Sequence, residues 1–365
     1  MKIGIDGGAL SITDDRLKVG VYRVAYNLIK DIPRSDNKNS YRVYSFSRGG
    51  ERAPLPRRKN VEFVQLLRPG FQKIWQPVEL MKDPVDVYLG ISQSLPFTLY
   101  DIKKIGFIYD VGFLDHPEFY RDSFYALSLQ TASLIKHAHH IITISQASAD
   151  SIMSRYHVPK EKLTVAYLGV EKQFHPSGKK HHRKNPYFLF VGSLKPGKNV
   201  PMMLRAFSKF LASSSIEYDF LLVGSDYWLD PGISATINSL GLHRNVHIVG
   251  FADDVTLSEY YRGATALMSV SLIEGFGLPV VEAMASGCPV IGSTIGSLPE
   301  VVGSAGMLVD PDNEDELVGA LLFVSTDKIK REQMKEKGRA RAKLFSWDLF
   351  AKKVSAVITS VSPRP

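Results

Sequence analysis

The chain has 365 residues, room for two domains of about 150 residues each, and its 44% hydrophobic and 22% charged residues are those of an ordinary globular protein. One cysteine excludes an internal disulfide framework, and no apolar run is long enough for a membrane-spanning helix. The formal charge is +8, yet no zinc spacing, helix-turn-helix or aromatic–basic motif accompanies it, so nucleic acid is not expected as a partner.

Lys2-Ile-Gly-Ile-Asp6 reads as a short first strand and turns polar too soon for a secretory leader. With the lone cysteine this suits a reducing, cytoplasmic compartment. Gly7-Gly8 opens a polar loop to Gly20. Val21, Val24, Ala25, Leu28, Ile29 and Ile32 then recur at helical spacing, and Pro33 is expected to end that helix. Strand, glycine loop and helix make a half-Rossmann opening, but without Gly-x-Gly-x-x-Gly it is a weak signal for NAD. Strands are expected at 41–46, 61–65, 85–89 and 104–110, the last ending in the polar pair Tyr109-Asp110. A helix at 124–137, a buried strand at 140–145, a helix at 146–156 capped by Ser145 and a strand at 163–169 complete a first α/β half. Residues 171–186 are polar and basic, a linker composition. Strands at 187–191, 220–224, 246–250, 266–270 and 289–292, separated by helical stretches, build a second half, and 347–361 is an amphipathic helix.

The stretch with the most chemistry is Glu274-Gly-Phe-Gly-Leu-Pro-Val-Val-Glu282, followed by Ala283-Met-Ala-Ser-Gly287. Two glycines around one aromatic make a loop, Pro279 opens a helix where a missing N–H costs nothing, and Gly287 caps its end. Exposed amides at Gly275, Phe276, Gly277 and Leu278, beside a helix N-terminus, suit a phosphate or sugar hydroxyls. Glu274 in the loop and Glu282 in the helix can reach two ends of one long ligand. Taken singly, either acid better suits a plain strand–helix junction, where it complements the helix dipole, and only the whole string in order points to a ligand. A second glycine-bearing loop, Gly192-Ser-Leu-Lys-Pro-Gly-Lys198-Asn, sets Lys198 where it can pair with a diphosphate, although a lone lysine there is also an ordinary solvent-facing residue.

These motifs resemble the signature of retaining nucleotide-sugar glycosyltransferases with two Rossmann-like domains, the family-four type also described as glycosyl transferases group 1. The resemblance covers nearly the whole chain and is strongest from Val191 to Leu308. It implies an α/β fold of two doubly wound Rossmann-like domains facing across a cleft, the GT-B type. An acceptor-side domain would span 1–172, a linker 173–186 and a nucleotide-sugar-binding domain 187–346, with 347–365 crossing back to the first domain. It implies a hexose-type sugar moved from a nucleotide diphosphate to a hydroxyl of a saccharide or lipid-linked saccharide, without a cofactor or metal. By the same resemblance Glu274 lies beside the donor sugar, Glu282 on the ribose, Lys198 on the diphosphate, and Gly250 and Phe251 at the base. Gly20 falls in the loop facing donor phosphates and acceptor. Tyr109 stands where the family has histidine, and Asp110 is the acid at that strand end. The family's arginine near the lysine is missing, with Ser193 and Gly197 in its places.

Asp310-Pro-Asp312 has the look of a metal-binding pair, but it precedes a helical run and reads as an N-terminal cap. The basic clusters at 57–59, 103–104 and 179–184 either face an anionic membrane, giving peripheral contact at its inner face, or are simply solvated. From another class, a non-catalytic nucleotide-sugar-binding subunit carries the same loops, and the replaced histidine and missing arginine favour it.

Overall fold

A computed structural model of the chain describes residues 1–18, 20–36, 38–46, 55, 57–225 and 230–362. Among the described residues, thirteen strands form two all-parallel sheets. The first holds β1 Lys2–Asp6, β2 Ser40–Ser45, β3 Val61–Gln65, β4 Val87–Gly90, β5 Lys103–Phe107, β6 His140–Thr143 and β7 Leu163–Val165, in the order β3-β2-β1-β4-β5-β6-β7. The second holds β8 Tyr187–Val191, β9 Asp219–Val223, β10 Val246–Gly250, β11 Ala266–Ser269, β12 Val290–Ser293 and β13 Met307–Val309, in the order β10-β9-β8-β11-β12-β13. Each order reverses once, between β1 and β4 and between β8 and β11. An open parallel sheet binds ligands at the carboxyl ends of its strands at such a reversal.

The strands form where they do because both faces of a parallel sheet are covered, so their sequences are near-continuous apolar runs. Phe188, Leu189 and Phe190 of β8 are all buried, and Phe188 stacks on Tyr218 and meets Phe210 edge-on. Full burial of such a side chain contributes about 2 kcal/mol, and the core of the second sheet holds Phe188, Phe190, Phe207, Phe210 and Phe220 together.

The chain divides into two compact units, Met1–Leu168 with Trp347–Pro365, and Gly169–Ser346. The terminal helix Trp347–Val361 packs within the first unit on the helix Gly20–Ser35, burying Phe350, Val354 and Ile358; residues 363–365 lie outside the described residues. Residues 173–186, expected as a linker, are bound into the second unit. His181 donates its amide to the Glu259 carbonyl at 3.0 Å, and Arg262 donates to the carbonyls of Lys179 at 2.7 Å and His175 at 3.3 Å. Polar composition suggests a linker because these bonds are to backbone carbonyls, which carry no signature in sequence. The helix Gly20–Ser35 also runs through Pro33 rather than stopping before it. Proline falls in the last turn, where its missing N–H forfeits one helical bond.

Candidate active site

The second unit assembles its polar groups at the β8/β11 reversal. The turn Pro196–Lys198 follows β8, and the carbonyl of Gly197 accepts the amides of Leu272 at 3.0 Å and Ile273 at 3.4 Å. That bond pair ties the loop after β8 to the loop after β11 and brings Lys198 to Glu274. Lys198 Nζ lies 2.6 Å from Glu274 Oε2, with side-chain exposures of 25% and 15%. Glu274 is fixed from behind: its carbonyl accepts the Ser297 amide at 3.1 Å and the Ser297 hydroxyl at 2.9 Å. Gly296 is needed for this approach, since its φ is +64° and a Cβ there would lie 2.9 Å from the Glu274 oxygen. The ion pair is partly buried, so salt screens it less than a surface pair, yet both charges remain open to a ligand.

The helix Leu278–Ala285 begins at Gly277 and ends against Gly287, whose φ of +72° is the left-handed terminator expected from the sequence. The loop before it departs from expectation. Gly275, Phe276 and Gly277 are buried rather than exposed. Phe276 is 2% exposed and meets Phe345 edge-on at 5.5 Å, so the aromatic anchors the loop. Leu278 is half-buried. Glu282 is 2% exposed and accepts a hydrogen bond from the Tyr261 hydroxyl at 2.9 Å.

Three glycines close the strand ends beside this pair. Gly192 follows β8, Gly224 follows β9, and Gly250 ends β10 at a register shift. Gly224 donates to the Gly250 carbonyl at 2.9 Å, and a Cβ on Gly224 would stand 1.9 Å from the Gly192 oxygen, so only glycine fits there. Phe251, next in the chain, is 47% exposed.

The first unit carries the other expected residues, at and beside the β1/β4 reversal. Tyr109 follows β5, and its hydroxyl donates to the Ile91 carbonyl at 2.9 Å. Burial pushes the phenol well above its ordinary range, and the charge of Asp6 adds to the rise. Asp110 accepts the Gly112 amide at 3.0 Å, the bond of a structural turn. Gly20 starts its helix, and a Cβ there would meet nothing within 4 Å, so no steric demand for glycine exists at that position. Asp310 accepts the Asp312 amide at 2.9 Å, while Asn313 and Glu316 cap the helix Glu314–Thr326.

Comparisons with known proteins fit this geometry. Residues 171–341 match the family model described as glycosyl transferases group 1. That stretch is a glycosyl transferases group 1 domain within the second unit. It is 28% identical over 339 residues to the O-antigen chain mannosyltransferase B of Escherichia coli, covering 88% of this chain and 85% of that protein. It is 33% identical over 231 residues to the MMP alpha-(1->4)-mannosyltransferase of Mycolicibacterium hassiacum, 61% of this chain and 54% of that one. Among solved structures, sucrose-phosphate synthase from Thermosynechococcus elongatus superposes with a TM-score of 0.79 at 18% identity, over 99% of this chain and 98% of that one. WaaG, a glycosyltransferase involved in lipopolysaccharide biosynthesis, superposes with a TM-score of 0.76 at 17% identity, over 98% and 99%. The solved structures give the fold, two Rossmann-like domains of the GT-B type, and the matched domain with the mannosyltransferase relatives gives the activity class, a hexosyltransferase.

Sequence reasoning missed three residues, two at the reversal of the second sheet and one at that of the first. Tyr261 lies 21 residues from Glu282 on another helix. Ser297 stands beside Gly296, and that glycine was the available signal. Asp6 ends the first strand and reads in sequence only as a boundary; a charged residue closing an otherwise apolar strand was its signal.

Proposed function

We infer that the protein is a retaining hexosyltransferase that moves a sugar from a nucleotide diphosphate to a hydroxyl of a saccharide or lipid-linked saccharide in polysaccharide assembly. The observation that carries this reading is the Lys198–Glu274 pair at the reversal point of the second sheet. A diphosphate arriving there replaces Glu274 as the partner of Lys198, which absorbs charge as the nucleotide leaves. Glu274, released from the lysine, turns to the donor sugar. Glu282 serves the ribose, and Gly250 and Phe251 border the base. Mannose is the first sugar to test, since the relatives just named are mannosyltransferases. Positive charge supplied by lysine and helix amides does the work a divalent metal does elsewhere, so no metal is required. Transfer on one face of the sugar, without a covalent intermediate, agrees with Asp110 being engaged in a turn and Asp6 being sealed from solvent.

Thermal unfolding with GDP, UDP, dTDP and ADP tests the donor side. One nucleoside diphosphate is expected to raise Tm, because a ligand of the folded state stabilises it by mass action, and Lys198→Ala is expected to remove most of that rise. No response to any of the four ends the reading. The +8 charge further supports peripheral contact with an anionic membrane. Among the described residues no helix is long and apolar enough to cross one. Co-sedimentation with phosphatidylglycerol vesicles is expected at low salt and lost at high salt; failure to sediment at low salt removes the membrane from the account.

A further inference from the structure

The carboxyl group of Asp6 has no task in the transfer described above. It is 1% exposed, and among the described residues no cation partners it. A buried carboxylate without a countercharge is costly unless hydrogen bonds satisfy it. Its oxygens tie together three segments remote in sequence. Oδ1 accepts the Gly8 amide at 2.9 Å, and Oδ2 accepts the Ser92 amide at 3.1 Å and the Gln72 side-chain amide at 3.4 Å. The fit on the Gly7-Gly8 side is close: a Cβ on Gly8 would stand 3.1 Å from Oδ1, and one on Gly7 would stand 2.6 Å from Val43.

The segment 91–93 is held from its other side as well. Tyr109 donates to the Ile91 carbonyl at 2.9 Å, and Gln130 Nε2 donates to the carbonyls of Ser92 at 3.3 Å and Gln93 at 3.0 Å. The Gln93 side chain donates to Thr131 Oγ1 at 2.9 Å. Gln93 itself has φ +54°, a left-handed conformation. For a residue with a Cβ that conformation is strained and persists only where surroundings enforce it. These are the loops that leave β1 and β4, the two strands flanking the reversal of the first sheet. Asp6 thus fixes backbone at the place where such a sheet receives a ligand.

We propose that Asp6 is a positioning residue for transfer: as a carboxylate it holds the Gly7-Gly8 turn and the 91–93 segment, and through Ile91 the phenol of Tyr109, in the arrangement that orients the acceptor hydroxyl. This rests on the reading that the first unit receives the acceptor. Burial raises the pKa of Asp6, while the Gly8 and Ser92 amides oppose the rise. Protonation weakens the carboxyl as an acceptor for two amides, so the transfer rate falls on the acid side as Asp6 takes up its proton.

The test is Asp6→Asn, whose side-chain NH₂ must face one of the two backbone N–H groups and so releases one loop. With GDP-mannose as donor and octyl α-mannoside as acceptor, kcat for transfer is expected to fall at least about tenfold, in line with lost orientation of a reacting group. The KM for GDP-mannose is expected to stay at the wild-type value, and the acid limb of the pH profile to disappear. Gln130→Leu, which frees the same segment without touching Asp6, is expected to lower kcat in the same way by a smaller factor, and it carries the test if Asp6→Asn does not fold. Amide exchange at Gly8 and Ser92 needs neither substrate and is expected to accelerate in Asp6→Asn. Wild-type turnover with an unchanged pH profile overturns the proposal, and so does unchanged exchange at both amides. A wild-type protein that transfers nothing from GDP-mannose ends the donor reading instead, and the exchange then decides the role of Asp6 alone.

Discussion

The two sheets reverse their strand order once each, and at each reversal the chain sets a carboxylate, but the two acids live in different physical states. Glu274 keeps 15% of its side chain exposed and pairs with a flexible lysine. Asp6 is 1% exposed and pairs with backbone amides of its own and a neighbouring loop. An ion pair between side chains can be opened by a ligand that offers the lysine another anion. Backbone amides cannot be withdrawn without moving the loops they belong to. One acid is therefore available to chemistry and the other to geometry, although both sit at the same place in the same kind of fold.

Breaking the comparison on the available side should have the largest effect. Glu274→Ala is expected to cost about 10²-fold or more in turnover, the scale of a lost positioned polar group. Nucleoside diphosphate should bind at least as tightly as before, because Lys198 loses its internal partner. Calorimetry and initial rates on the same preparation check both halves; turnover within about threefold of wild type, far short of that scale, removes Glu274 from the reaction.

A smaller effect should sharpen it. Tyr261→Phe deletes the hydroxyl that donates to the buried Glu282 and leaves the ring in place. Loss of one hydrogen bond to a charged group costs about 1.5–3 kcal/mol. Part of that should appear as weaker nucleoside diphosphate binding and part as a lower Tm, with kcat at saturation near wild type. If the affinity is unchanged, Glu282 acts on the fold and not on the nucleotide.

The sequence by itself determined the local pattern. Period-two and apolar runs specified the strands, since a side chain's face alternates along the chain whatever surrounds it. Turn chemistry specified Gly277, Gly287 and Pro279 around the helix Leu278–Ala285, because φ preferences and a missing N–H are properties of single residues. The order Glu274, Gly-Phe-Gly, Pro and Glu282 was enough to reach the family. Only the tertiary structure decided which polar groups meet. Lys198 and Glu274 are 76 residues apart, and Asp6 and Ser92 are 86 apart. Whether a carboxylate is wet or dry depends on the atoms packed over it from other segments, and no local pattern records them. The same holds for Phe276, which looks like an exposed loop aromatic until Phe345 covers it, and for 173–186, whose backbone bonds to the second unit leave no mark on composition. Periodicity and turn preference are short-range and belong to the chain even when it is unfolded. Burial and pairing are long-range, and exist only once each sheet has gathered its own loops around its reversal point.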